Sequence, residues 1–437
     1  MRTINVGLFG LGVVGCGVIS ILRRNRGLIR ARLGADLRVT HAVTANPKKK
    51  RSVALRGISV SKDPATILSN PGIDIVVELV GGTTHAKSYV LGALDAGKPV
   101  VTANKALLAE HAREIFGRVY NRELSIGFEA SVAGGIPVLR SLKEGLSGDH
   151  IREIVGIVNG TSNYILSKMS AEGTPFEEVL AEAQRLGYAE KDPTFDVEGH
   201  DAAHKLAILV NLAYGTTIDY SKIYKEGISR ITPTDITYAR QMGYVVKLLA
   251  IGKLSGQRVE ARVHPTLISV DHQLAAVNGV FNAVFITGDN VDATMSYGRG
   301  AGALPTGSAV VSDIIDLARN QLAGIQQKIP ALSVTKGELR NLSVVPIHEL
   351  ESEYYLRFQV LDRVGVLASM TKIMGNNNIS IQSMVQPAQA DHPEDPVQVI
   401  LITHRARDRD VQKSLRQIAK LNFITGPTQL IRIESFE

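Results

Sequence analysis

Glu190, Asp201 and Lys205 are the side chains with the most chemistry to offer. They fall in Gly187-Tyr188-Ala189-Glu190-Lys191-Asp192-Pro193 and Gly199-His200-Asp201-Ala202-Ala203-His204-Lys205-Leu206. Asp201 and Lys205 are four residues apart in a stretch, residues 200–213, whose apolar positions recur at helical spacing, so both are predicted on one helix face. Glu190 lies one loop upstream, near enough to converge on them. Carboxylates suit an ammonium ligand, and a lysine whose pKa is lowered by burial can pass a proton to or from a hydroxyl or carbonyl oxygen. An amino-acid alcohol offers both groups, so beside a dinucleotide site this set points to an amino-acid dehydrogenase. The same spacing also describes an Asp–Lys surface pair of little energetic weight, and spacing alone does not choose between them. His200 and His204 stand at i and i+4, a spacing that can bind metal, but with no third ligand in view they are expected to be ordinary helix residues.

The elements that must hold these groups begin at the amino terminus. Residues 4–9 form an apolar strand that runs into Gly10, Leu11, Gly12, Val13, Val14 and Gly15, ahead of Val18, Ile19, Ile21 and Leu22 at helical spacing. This is the G-x-G-x-x-G pattern in its strand-to-helix setting: a tight turn at Gly10, close backbone approach to a pyrophosphate at Gly12, and close helix–strand packing at Gly15. The next strand, residues 37–44, ends without an Asp or Glu for a ribose hydroxyl. Lys48, Lys49, Lys50 and Arg51 follow, which favours a 2'-phosphate and so NADP over NAD. Further strand–helix units place Gly81, Gly82, Thr83, Thr102, Asn104 and Lys105 at the carboxyl ends of strands, where open parallel sheets bind ligands.

At 437 residues the chain has room for about three domains. No run approaches the ~20 apolar residues of a membrane helix and no signal-peptide pattern opens the chain, so a cytoplasmic location with no membrane partner is expected. The single cysteine, Cys16, excludes an intrachain disulfide and reads as a small packing residue. A net charge of +7 comes partly from residues 23–26 and 48–51, but with no Trp and few aromatics to interleave, nucleic acid is not an expected partner.

The glycine motif, Thr102-Ala103-Asn104-Lys105-Ala106-Leu107, Glu129-Ala130-Ser131-Val132-Ala133-Gly134-Gly135-Ile136-Pro137 and residues 187–205 together resemble homoserine dehydrogenase. The likeness continues through Asn159-Gly160-Thr161-Ser162-Asn163-Tyr164 and residues 298–307, covering nearly all of residues 1–330. It implies reversible hydride transfer between aspartate semialdehyde and homoserine, in the branch leading to threonine and methionine. It implies that Lys205 transfers the proton, that Lys105 lies between nicotinamide and substrate oxygen, and that Glu190 and Asp201 hold the substrate. Asn159, Gly160 and Thr161 would close over it, and Gly302 would touch the nicotinamide. The Glu129 carboxylate and the carbonyls of Val132, Gly134 and Ile136 would surround sodium, an oxygen-only set suited to a hard cation. The departure from the family is at the end of the second strand, which lacks the arginine that many relatives carry there.

The resemblance implies an α/β chain in three parts: a Rossmann-like cofactor domain over residues 1–130 with a returning helix at about 306–325, an α+β catalytic and dimerisation domain over 131–305, and an ACT regulatory domain over 350–437. In the last part, strands at residues 354–360, 379–386 and 398–403 and helices at 362–374 and 410–421 resemble an amino-acid-sensing ACT module. Threonine is its expected ligand, a plain oligomerisation role the alternative. The expected assembly is a homodimer, with a tetramer as the larger form. The competing function from another class is a noncatalytic amino-acid sensor that keeps the nucleotide fold, and the joint presence of Lys105, Glu190, Asp201 and Lys205 argues against it.

Overall fold

In the computed structural model, which describes residues 2–386 and 395–436, the amino-terminal strands are β1 (Thr3–Phe9), β2 (Asp36–Val43), β3 (Ser59–Ser61), β4 (Ile75–Glu78), β5 (Val100–Thr102) and β6 (Ile126–Gly127). They pair in parallel in the order β3-β2-β1-β4-β5-β6. β4 and β5 are buried throughout, as expected of parallel strands covered on both faces. The chain order reverses beside β1, which opens a crevice at the strand ends between β1 and β4. The helix Ala303–Leu322 returns to this sheet and packs on Val13–Arg24. A Cβ at Gly17 would lie 2.4 Å from the carbonyl of Ala303, so only glycine permits that approach.

A second sheet contains β7 (Ile151–Ile157), β8 (Tyr224–Lys225), β9 (Tyr244–Ser255), β10 (Arg258–Ser269), β11 (Phe281–Gly288), β12 (Asp292–Arg299), β13 (Ser343–Val344), β14 (Glu351–Leu361), β15 (Ile381–Val385), β16 (Pro396–Thr403), β17 (Ala406–Arg407) and β18 (Gln429–Ile433). Its main path is β12-β11-β7-β9-β10-β18-β14-β16-β15. The helix His200–Tyr214 lies against β9 and β10 and is buried on nearly every side, so its polar residues must find partners inside the protein.

The carboxyl-terminal module differs from the sequence expectation in two respects. It has a further strand, β18, which the reading of three strands and two helices missed. That strand pairs in parallel with β10, Thr266 opposite Arg432 and Leu267 opposite Ile433, while its other edge pairs with β14. The module therefore shares one sheet with the catalytic region. Residues 429–433 are short and interrupted by an arginine, so their periodicity is faint. Buried charge pairs explain the arginine: Arg432 donates to Asp408 at 2.7 Å and to Glu226 at 3.0 Å. Arg262 bonds Glu434 at 2.6 Å, and Arg357 on β14 bonds the fully buried Asp235 at 2.6 Å. Among the described residues no helix is long and apolar enough to cross a membrane.

Candidate active site

The turn after β1 carries Gly10 at φ +100°, where a Cβ would lie 2.5 Å from the carbonyl of Leu79 at the end of β4. A Cβ at Gly12 would meet nothing within 4 Å. Gly12 precedes the helix Val13–Arg24 with no side-chain cap, and Val13 is largely exposed. Free amides, open space and a positive helix end make an anion cradle at the crevice. Across it, buried Glu78 accepts from the amide of Val80 and the hydroxyl of Thr102, each at 2.7 Å, and burial pushes its carboxyl pKa up. Asn104 caps the helix Lys105–Glu110 and donates to the carbonyl of Gly82 at 2.7 Å, which ties the loop holding Gly81 and Thr83 to that helix. Lys48, Lys49 and Lys50 are exposed beyond β2, while Arg51 turns back to Thr44 and the carbonyl of Asn46. Gly302, at φ +132°, stands at the start of the returning helix.

Helical spacing does bring Asp201 and Lys205 together, but not at the surface. Asp201 is 2% and Lys205 8% exposed, so the surface-pair reading fails. The Lys205 ammonium donates to Asp201 at 2.7 Å and to the carbonyl of Val158 at 2.6 Å. The other Asp201 oxygen pairs with Lys105, from the helix that follows β5. Burial would raise the Asp201 pKa, but the two lysines outweigh it and hold the carboxyl well below the ordinary range. Burial lowers the Lys205 pKa, partly against the pull of Asp201. A lysine so placed can exist as a neutral base, and its ammonium is an acid stronger than usual.

Asn159 joins this network. Its amide donates at 2.8 Å both to Asp201 and to Asp196, while its oxygen caps the helix Gly160–Glu172. The Thr161 hydroxyl donates to the carbonyl of Tyr188 at 2.7 Å and lies 3.3 Å from Asp196. Gly160 packs against the carbonyl of Val280, where a Cβ would come within 2.8 Å. Glu190 is not drawn in: it is exposed, and its backbone carbonyl, not its carboxylate, accepts from Gln184. Asp196, which sequence reasoning passed over, is the carboxylate beside the lysines, and burial raises its pKa. The available signal was its place in Thr194-Phe195-Asp196-Val197, one turn ahead of the Asp201 helix. Phe195, from the same short segment and 5.6 Å from the Lys105 ammonium, was missed as well.

The segment after β6 forms an oxygen-rich turn. Glu129 is buried, its carboxyl pushed up to about 7 by burial, and it accepts from the amides of Leu139 and Arg140 at 2.9 and 2.8 Å. Ala133 and Gly134 have positive φ, and the Ile136 carbonyl accepts from Val138 at 2.8 Å. Among the described residues the carbonyls of Val132 and Gly134 accept no backbone hydrogen bond. A buried carboxylate and two carbonyls without backbone donors in one short segment are an oxygen-only donor set, the kind that suits a hard monovalent cation.

Family profiles match the chain in three places: "Homoserine dehydrogenase, NAD binding domain" over residues 10–124, "Homoserine dehydrogenase" over 137–315 and "ACT domain" over 354–422. A homoserine dehydrogenase of Neisseria gonorrhoeae is 43% identical over 435 residues, covering 100% of this chain and 99% of its own. The crystal structure of a homoserine dehydrogenase from Thiobacillus denitrificans superposes with a TM-score of 0.93 at 43% identity over 99% of both chains. A hyperthermophilic archaeal homoserine dehydrogenase mutant, solved in complex with NADPH, has a TM-score of 0.62 at 27% identity, covering 72% of this chain and 97% of its own.

Proposed function

The chain belongs to the homoserine dehydrogenase family, an oxidoreductase with a nicotinamide cofactor, and on that premise we propose how its residues divide the work. The observation that carries the reading is the Lys105–Asp201–Lys205 array, which joins the carboxyl end of β5 in the cofactor sheet to a helix of the catalytic region. The bound nicotinamide supplies the hydride acceptor for the carbinol carbon of homoserine. Lys205 takes the hydroxyl proton and returns it to the aldehyde oxygen of aspartate semialdehyde in the reverse direction. Lys105 holds that oxygen from the cofactor side. Asp201 keeps both lysines in place and Asp196 supplies countercharge for the α-ammonium from within this network, while the exposed Glu190 carboxylate adds to it from the solvent side. Asn159, Gly160 and Thr161 line the substrate, and Gly302 meets the nicotinamide. Gly10 through Gly15, with Leu11, Val13 and Val14, cradle the pyrophosphate beside Gly81 and Thr83. A noncatalytic sensor is not favoured.

For the cofactor we favour NADP, supported by the exposed lysines beyond β2 and by the NADPH named for the archaeal relative. Steady-state oxidation of homoserine with NADP and with NAD tests the assignment. Replacing Lys48, Lys49 and Lys50 together by Ala raises KM for NADP by about tenfold, an effect that shrinks with added salt, and leaves NAD unaffected. Equal effects on both cofactors reject it. In the same assay Glu190→Ala raises KM for homoserine about tenfold with little change in kcat. A Na+ held by Glu129 and the carbonyls of Val132, Gly134 and Ile136 has an architectural role, so choline in place of sodium lowers Tm more than kcat; the reverse result rejects that role.

We assign threonine to the turn between β14 and the helix Val366–Asn376, where Gly365 has φ +89° and Val364 is fully exposed, and propose that residues 376–379 of a second copy of this chain complete the site. Threonine inhibits the wild-type chain and not the Val364→Arg variant; equal inhibition of both rules the site out. The sheet edge β12, with Met295 and Tyr297 exposed, supports a homodimer. Light scattering at the mass of one chain would reject that assembly.

A further inference from the structure

Two helices meet across the seam between the two sheets, and they are tied twice. Lys105–Glu110 carries a lysine at one end and a carboxylate at the other, and His200–Tyr214 carries Asp201, His204 and Lys205. The first tie is the Lys105–Asp201 pair. The second lies between Nε2 of His204 and Oε1 of Glu110, at 3.0 Å. The first belongs to the chemistry proposed above, and the second uses none of its groups.

His204 is 3% exposed and packed among aromatic rings, with Tyr220 stacked at 4.3 Å and Phe195 tilted at 5.4 Å. Burial lowers the imidazole pKa against the pull of Glu110 and Asp201, with Lys105 adding to the lowering. A carboxylate can only accept, so Nε2 is the donor in its bond with Glu110. Its Nδ1 has no hydrogen-bond partner among the described residues. A buried nitrogen left unsatisfied works against stability, and a phenylalanine would fill the same aromatic pocket without that cost. What phenylalanine cannot do is bond Glu110.

We propose that the His204–Glu110 hydrogen bond is a positioning clamp. It sets the Lys105 helix against the His200–Tyr214 helix and so fixes Lys105, on the cofactor side, relative to Asp201 and Lys205 on the substrate side. The inference rests on the roles proposed above for the two lysines. It matters because a misplacement of about 1 Å at reacting groups can cost on the order of 10²-fold in rate.

The test uses full-length His204→Phe, Glu110→Ala, their double variant and His204→Gln, with kcat, both KM values and Tm measured. His204→Phe and Glu110→Ala each lower kcat about tenfold with KM values within about twofold of wild type. His204→Gln, which keeps an amide donor near the Nε2 position, recovers kcat to within about threefold, and the double variant is no slower than the slower single. Additive losses, a Gln variant as slow as Phe, or a kcat that merely follows Tm would overturn the clamp. Lys205→Ala assayed alongside separates the two readings: near-normal turnover there rejects the proton-transfer role, whereas slow Lys205→Ala with unaffected clamp variants rejects the clamp alone.

Discussion

Lys205→Ala lowers kcat for homoserine oxidation by about 10² to 10⁴-fold while NADP binding, followed by nucleotide fluorescence, is nearly unchanged, because a proton-transfer group acts on the transition state and not on the distant pyrophosphate. The pH dependence has a definite sign. Oxidation needs the neutral amine, so kcat for homoserine rises as pH increases through the Lys205 pKa, which burial places below the ordinary lysine value. Reduction of the semialdehyde needs the ammonium, so its kcat falls over the same pH range. Both limbs vanish in the alanine variant. A near-normal kcat, or a pH limb that survives the substitution, would remove Lys205 from the mechanism. The assignment is exposed to that test because Lys205 has a second partner besides Asp201, the carbonyl of Val158, and a purely structural lysine could satisfy the same bonds.

Arg432→Ala destabilises the chain by about 3–5 kcal/mol, since removing one member of a buried pair leaves its partner charged and unpaired. The stranded partner is Asp408, as deeply buried as Arg432 itself, and Glu226 loses a bond as well. Urea denaturation reads the effect as a fall in midpoint with an unchanged slope. Replacing the pair together, Arg432→Met with Asp408→Leu, recovers much of the loss, because burying two apolar groups avoids desolvating two charges. A single variant within about 1 kcal/mol of wild type would mean that water reaches the pair and that the module is loosely docked. The same geometry bears on any truncation near residue 340. Cutting there removes β18 from the edge of β10 and takes Arg432 and Glu434 from their partners, so loss of regulation in a shortened chain would not by itself locate a regulatory site.

What the sequence by itself determined was local. The glycine turn after β1, the Asp201–Lys205 helix face and the alternation of strands and helices follow from backbone conformation and from side chains a few residues apart. These properties survive in any packing that keeps the elements. The family motifs extended that reading to the roles of Lys105 and Asn159. The tertiary structure decided everything that depends on desolvation and on contacts between distant segments. It decided that the Asp201–Lys205 pair is buried, which turns a commonplace surface spacing into a pair of perturbed groups. It drew in Asp196 and left Glu190 at the surface, a choice made by how two loops pack and not by the spacing of their carboxylates. It placed β18 between β10 and β14, because a short strand interrupted by arginine has no periodicity strong enough to announce itself. The partners that make such an arginine tolerable, Asp408 and Glu226, come from other elements of the chain and meet it only when the sheet is assembled.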